Sequence, residues 1–205
     1  MIFDIKQIHA AHGIKGVMHV GAFAGEELRS YRGLGLDNTM LFEPQPNLFN
    51  LVQEKTILNE TVHNVALGSE QGEKEMYVSW REGGVEHGSG ASSSLMKPKK
   101  HLTEHADVLF KDTINVKVDV LDNYHTLDYN FLNIDVQGYE LEVLKGATAS
   151  LPFIDAMILE VNRDEVYEGC PMVEDLDKFL YDFGFRRTAT YWQSASWGDA
   201  VYARN

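Results

Sequence analysis

A single cysteine in 205 residues removes two classes of protein at once. Cys170 has no partner for an intrachain disulfide, and one thiol cannot build a thiolate zinc cluster. It is expected to be structural, in a reducing cytoplasmic setting. Basic residues are scarce: 18 Lys and Arg stand against 31 Asp and Glu, a net charge of −13. A chain this acidic repels phosphate backbones, so nucleic acid is not an expected partner. The one basic run, Lys97-Pro98-Lys99-Lys100, reads as a solvated loop. No apolar run approaches the roughly 18–20 residues that cross a bilayer, which removes the membrane as a partner. Residues 1–15 mix Asp4, Lys6, His9 and His12 with apolar side chains, so a helical segment is expected there and not a signal peptide. The G-x-G-x-x-G dinucleotide fingerprint is missing. So is any H-E-x-x-H among the eight histidines. His101 and His105 have i,i+4 spacing, but without that context they read as loop residues, and no metal site is predicted.

What remains is an alternation of short apolar runs with amphipathic stretches, in a chain that is 44% hydrophobic. This pattern predicts an α/β fold: a mostly parallel sheet with helices on both faces, over one domain spanning 1–205. Core strands are expected at 16–20, 39–42, 62–65, 131–134 and 154–159. Helices are expected at 26–32, 46–55, 139–145 and 172–183. Glu26 and Glu27 would lie in the first turn of the first of these, and Gly146 would end the third. Residues 72–80 and 113–120 alternate apolar and polar side chains and read as half-exposed strands around the central sheet. Residues 185–190 and 199–204 read as a terminal strand pair. The Gly-, Ser- and His-rich stretch 81–112 is long for a connection and reads as an inserted loop on the substrate side.

Three strand ends carry the cofactor argument. Gly21 and Gly25 punctuate the turn after the first strand, where the absence of a Cβ lets a ligand approach the backbone. Glu43 ends the second strand, the position from which a carboxylate grips a ribose diol in Rossmann-type folds. That geometry suits S-adenosylmethionine (SAM) or NAD, and the missing dinucleotide spacing selects SAM. Asn64 and Ala66 follow the third strand, where adenine would lie. Asn64 either meets the adenine edge or fixes the loop.

The blocks H-V-G-A-F-A-G-E-E (19–27), F-E-P-Q-P (42–46), N-V-A-L-G (64–68), A-S-S-S-L (91–95), N-I-D-V-Q-G-Y-E-L-E-V-L-K-G-A (133–147) and I-L-E-V (158–161) resemble the FkbM-type methyltransferases. The order of the blocks is kept along nearly the whole chain. The resemblance implies a Rossmann-like class I methyltransferase sheet whose last strand enters antiparallel. It also implies SAM as cofactor and methyl transfer to oxygen, often a hydroxyl of a sugar or natural product. By the same resemblance, Gly21, Ala22 and Gly25 contact the methionine half of SAM, Glu43 holds the ribose, Asn64 and Ala66 border the adenine, and Asp135 closes the site. One departure concerns His19, which stands where the wider class carries an acid. It joins the cofactor-binding set, and the partner of the SAM ammonium stays open.

Methyl transfer from a sulfonium needs an aligned acceptor and a destination for its proton. Asp135 and Glu160 each end an apolar strand, and neighbouring strands lie about 4.8 Å apart, so both are candidate catalytic carboxylates. A close pair raises one pKa and favours a base, or binds a divalent cation, which is compatible with the pattern but not predicted. Glu140 reads as a helix-capping or salt-bridging residue. Asp119 and Asp122 are assigned no role, and His87 and His125 are weak candidates for a base. Ser93 and Ser94, with Ser92, are candidates for orienting a polar acceptor. Trp197 and Trp192 are candidates for stacking on a sugar face. The expected activity is SAM-dependent O-methylation of a small hydroxylated acceptor. A non-catalytic SAM-binding module within a biosynthetic complex is the alternative, and a homodimer is compatible with either.

Overall fold

A computed structural model describes residues 3–204. In chain order the elements are α1 (Ile5–His12), β1 (Val17–Val20), α2 (Leu28–Gly33), β2 (Thr39–Phe42), α3 (Pro46–Lys55), β3 (Glu60–His63), β4 (Ala66–Leu67) and β5 (Gly72–Trp80). There follow α4 (His101–Glu104), β6 (Leu109–Asp119), β7 (Phe131–Ile134), α5 (Glu140–Lys145), β8 (Ala156–Asn162), α6 (Val173–Asp182), β9 (Phe185–Trp192) and β10 (Trp197–Arg204).

Seven strands form the central sheet in the order β3-β2-β1-β7-β8-β10-β9. The first five run parallel, and β10 enters antiparallel between β8 and β9. This is the class I methyltransferase arrangement. Strands β1, β7 and β8 are buried at every position, as a parallel sheet covered on both faces requires. Their alternate side chains feed two apolar layers: Met18, Leu132, Ile134 and Leu159 pack in one, and Val17, Phe131, Ala156 and Ile158 in the other. Asp4 caps α1 by accepting from Lys6 N–H (3.0 Å), and Gly13 ends it in the left-handed region, at φ 59°. The order reverses between β1 and β7, so the carboxyl ends of β1, β2, β7 and β8 open a crevice there. Among the described residues no helix is long and apolar enough to cross a membrane.

Three local expectations are corrected, and a fourth holds for a different reason. Residues 72–80 and 113–120 do not extend the central sheet: β5 and β6 pair antiparallel and join β4 in a separate three-stranded sheet. Glu26 and Glu27 precede α2, because the glycine turn carries the chain past them before the helix begins. Glu160 lies inside β8 and not at its end, since β10 extends the pairing as far as Asn162. Gly146 does end α5, but at φ −81°; what demands glycine is the Gly68 carbonyl, 1.9 Å from where a Cβ would sit.

Candidate active site

The crevice is built from backbone first. Gly21 and Ala22 N–H both donate to Phe42 O (3.0 Å each), and Asp135 N–H donates to Val20 O (3.0 Å). These bonds draw the ends of β1, β2 and β7 together. Gly21 has φ 84°, and a Cβ there would lie 1.8 Å from the Asp135 carbonyl oxygen, so no other residue fits. The turn closes where Gly25 N–H donates to Ala22 O at 2.8 Å.

Glu43 is buried at the end of β2. Its Oε2 accepts from Phe23 N–H (2.9 Å), and its Oε1 accepts from Gln45 N–H (2.9 Å) and more weakly from the Gln45 amide (3.4 Å). Burial pushes its carboxyl up to about 7, against the pull of those donors. Glu43 and Gly21 face one cavity of about 510 Å³, mouth included, whose apolar walls include Val65, Ala66, Leu67, Met76 and Leu95.

Asp135 borders that cavity and two adjoining clefts. The Gln137 amide Nε2 donates to Asp135 Oδ1 (2.7 Å) and to Glu160 Oε2 (2.6 Å), so one side chain holds both carboxyls. Gln137 is itself fixed: Tyr167 O–H donates to its Oε1 (2.9 Å), and Ser94 O–H to its backbone carbonyl (2.7 Å). Removal of water by the surrounding walls raises Asp135 above the ordinary carboxylate range, and the charge of Glu27 adds to this while the Gln137 bond opposes it. Burial raises Glu160 well above the ordinary carboxylate range, reinforced by the charges of Asp135, Glu140 and Asp199, which favours its neutral form. Asp199 faces Glu160 across the β8–β10 register and is pushed up to about 6 by burial and by Asp135.

The structure thus brings Gly21, Glu43, Ala66, Ser93, Asp135, Glu160 and Trp197 to the connected clefts. Other expected site residues lie elsewhere or are already committed. Asn64 donates to the Glu43 and Pro44 carbonyls (2.9 and 3.0 Å), fixing the loop, and lines a different depression with His63 and Asp119. Ala22 is buried beneath the turn, and Gly25 packs against Leu28 and Val52. His19 borders a cleft, but its ring nitrogens meet Tyr31 O–H and the Asn133 amide (3.3 Å each), and burial holds it neutral. The Ser94 hydroxyl is spent on Gln137, and Ser93 O–H on Gln45 (3.2 Å). Trp192 stacks under the Arg163 guanidinium, 4.1 Å away. Asp122 accepts from Ala149 and Ser150 N–H, and Asp119 from Val120 N–H and Tyr124 O–H.

The reading of His101 as a loop residue is overturned. His101 is only 4% exposed, and its ring packs on His105, Phe110 and Tyr167 beside a cleft shared with Asp135 and Glu160. The short helix α4 buries His101 and leaves His105, the residue just after it, half-buried at the same cleft. The basic run is on the surface but tied down: Lys97 pairs with Glu168, Lys99 with Glu165 and Lys100 with Asp164. Sequence reasoning also passed over Gln137, Asp199 and Tyr167. The Gln137-Gly138 pair carries a turn signal, and Gln137 indeed sits at φ 57°, but nothing in its spacing announces a bridge.

A family model described as the methyltransferase FkbM domain matches residues 19–187. The chain belongs to the FkbM methyltransferase domain family. The 2-O-methyltransferase NoeI of Sinorhizobium fredii strain NGR234 is 25% identical over 160 residues, which is 75% of this FkbM chain and 65% of NoeI. The chain therefore spans a little under two thirds of that curated relative. Among solved structures, the methyltransferase FkbM of Methylobacillus flagellatus KT matches with a TM-score of 0.60 and 16% identity, over 92% of this chain and 43% of that one. Magnesium protoporphyrin IX methyltransferase of Synechocystis PCC 6803, solved with bound SAM, matches with a TM-score of 0.54 and 13% identity, over 98% and 76%. These structural matches establish the fold.

Proposed function

We propose that this FkbM domain is a SAM-dependent O-methyltransferase acting on a hydroxyl of a small polar acceptor, with sugars and glycans as the acceptor class. The observation that carries the reading is the continuity of the Glu43 cavity with the Asp135–Glu160 clefts at the carboxyl edge of the sheet. The residues present fit an adenosyl cofactor. Val65, Ala66, Leu67 and Met76 offer apolar walls for a flat ring. Glu43 Oε2 accepts only from Phe23 among the described residues, which leaves acceptor capacity for a ribose hydroxyl. His19 is neutral and committed, so the cofactor's positive groups fall to Asp135, Glu26 and Glu27, which border the next cleft. When bound, SAM supplies an electrophilic methyl group on a sulfonium.

The chain's own residues then align the acceptor hydroxyl and take its proton. Asp135 is the proton acceptor in this reading, and Gln137 fixes its orientation. Glu160, whose neutral form burial favours, resists adding a second charge beside it. The segment 81–112 forms the substrate-side wall of a single domain. Among the described residues no group of three or more His, Cys, Asp or Glu is gathered as a metal site. NoeI, a 2-O-methyltransferase, supports the choice of oxygen as acceptor. The net charge of −13 supports a small molecule over nucleic acid as the acceptor.

The test is incubation with methyl-labelled SAM and a panel of hexoses and glycosides, with tRNA as a separate arm. Label is expected in a sugar. If SAM fails to bind, the reading is refuted. If SAM binds and no acceptor is ever labelled, the domain is the non-catalytic SAM-binding module instead. Label in tRNA alone would replace the acceptor class.

A further inference from the structure

The cleft that Asp135 and Glu160 share with Trp197 has a second wall that the proposed chemistry does not use. It consists of His101, His105 and Arg81, all from the 81–112 segment. The His101 and His105 rings lie 4.8 Å apart, tilted by 43°, and His105 meets Trp197 at 6.2 Å. Backbone bonds hold this wall in place: His101 N–H donates to Val166 O (3.1 Å), and His105 N–H donates to His101 O (2.9 Å). His101 Nδ1 is buried and has no hydrogen-bond partner. A buried polar nitrogen without a partner costs about 1–3 kcal/mol, so a structural histidine here would be replaced at a gain by an aromatic ring.

Resting on the O-methyltransferase reading, we infer that His101 and His105 are acceptor-binding residues, whose imidazoles hydrogen-bond an uncharged, hydroxylated part of the acceptor beside Trp197. Arg81 is already paired with Asp107 at 2.8 Å. Burial, the neighbouring His105 and the Arg81 charge push His101 down to about 4, with Glu104 and Asp107 opposing, so its ring is neutral at physiological pH. A neutral imidazole offers one donor and one acceptor, which matches a hydroxyl. It offers no counter-charge to a phosphate. The aromatic face of Trp197 supplies the apolar side that a sugar ring presents.

The test uses His101→Phe and His105→Phe, which keep aromatic packing and remove the nitrogens, with His101→Asn returning a polar group near Nδ1. On the sugar that the wild type methylates, each Phe variant is expected to raise the acceptor KM about three- to tenfold, the scale for losing one neutral hydrogen bond. SAM affinity is expected to stay unchanged, and His101→Asn to recover part of the loss. Glucose 6-phosphate is expected to be a poorer acceptor than glucose. Folded Phe variants with an acceptor KM within twofold of wild type would overturn the inference, as would a preference for the phosphorylated sugar. A second readout is independent of turnover. The imidazole carbon–proton resonances of His101 and His105, assigned through the variants, are titrated with methyl β-D-glucopyranoside. Movement of both rings is expected. If SAM binds but no sugar is methylated, the parent reading has failed, and the ring spectra still decide the wall: silent imidazoles would dismiss it.

Discussion

Glu140 is fully buried, and only one of its carboxyl oxygens is used: Oε1 accepts from Val136 and Gly138 N–H (3.1 Å each), while Oε2 has no partner. Burial is the main cause that lifts its carboxyl to about 7, well above the ordinary 4.5. A raised folded-state value means the folded protein prefers the protonated acid. The associated stability is therefore fully present below pH 4.5 and is lost as pH rises through 7. Glu140→Gln keeps the accepting oxygen and mimics the protonated form. It should match the wild type in urea unfolding at pH 4.5 and exceed it by about 1–3 kcal/mol at pH 8. Equal stability at both pH values would mean that the charge is compensated. Gly21 makes a second residue-scale case. A methyl group there meets the Asp135 carbonyl at 1.8 Å in a left-handed backbone. Gly21→Ala should therefore lose more than about 2 kcal/mol and carry cofactor binding down with it. Glu43→Ala should weaken SAM by about 1–3 kcal/mol in calorimetric titration, the scale for hydrogen bonds to a charged group; an unchanged affinity removes Glu43 from the ribose.

At the scale of elements, the legible parts were those that local pattern dictates. Strands β1, β2 and β7 fall within one residue of their expected positions and β8 within three, because a strand buried on both faces leaves a plain apolar run. The meeting of Asp135 with Glu160 was legible because neighbouring parallel strands carry their carboxyl ends to one edge, although Glu160 lies two residues short of the end of β8. What the pattern could not carry was long-range placement. The alternation of β5 and β6 predicts two strands but not that they pair with each other, and the 81–112 segment gives no period that would turn His101 inward. That segment is held by contacts distant in sequence. Lys99 N–H donates to Val166 O (2.9 Å), Glu168 N–H to Lys97 O (2.8 Å), and three lysines pair with Asp164, Glu165 and Glu168. Exposed ion pairs are screened by salt while backbone bonds are not. Raising salt from about 0.05 to 1 M, which cuts the screening length from above 10 Å to about 3 Å, should speed amide exchange at 97–101 and leave the central strands unchanged. Exchange at 97–101 that ignores salt would assign the hold to the backbone pairing alone.

The whole molecule is acidic, and the proposed cofactor crevice is lined by Glu43, Asp135, Glu160 and Asp199, which ties ligand preference to pH. SAM carries a sulfonium charge that its demethylated product lacks. The crevice holds Glu43 and Asp199, pushed up to about 7 and about 6, with Asp135 raised beside them. Between pH 5.5 and 8 Glu43 and Asp199 lose protons, so the negative potential at the sulfonium deepens as pH rises. A ligand that binds only the folded state at 100 times its Kd adds about 2.7 kcal/mol. For a protein of this size each kcal/mol moves Tm by roughly 2–4 °C. SAM should therefore raise Tm by about 5–11 °C near pH 8 at that saturation, and by less at pH 5.5. The demethylated product should give a smaller shift with a weaker pH dependence, and NAD none, for want of a dinucleotide turn. Added salt should narrow the gap between SAM and its product, because their difference is one charge. A gap that stays flat across pH and salt would mean that these carboxyls do not face the sulfonium. Asp135 would then lose its place beside the transferred methyl.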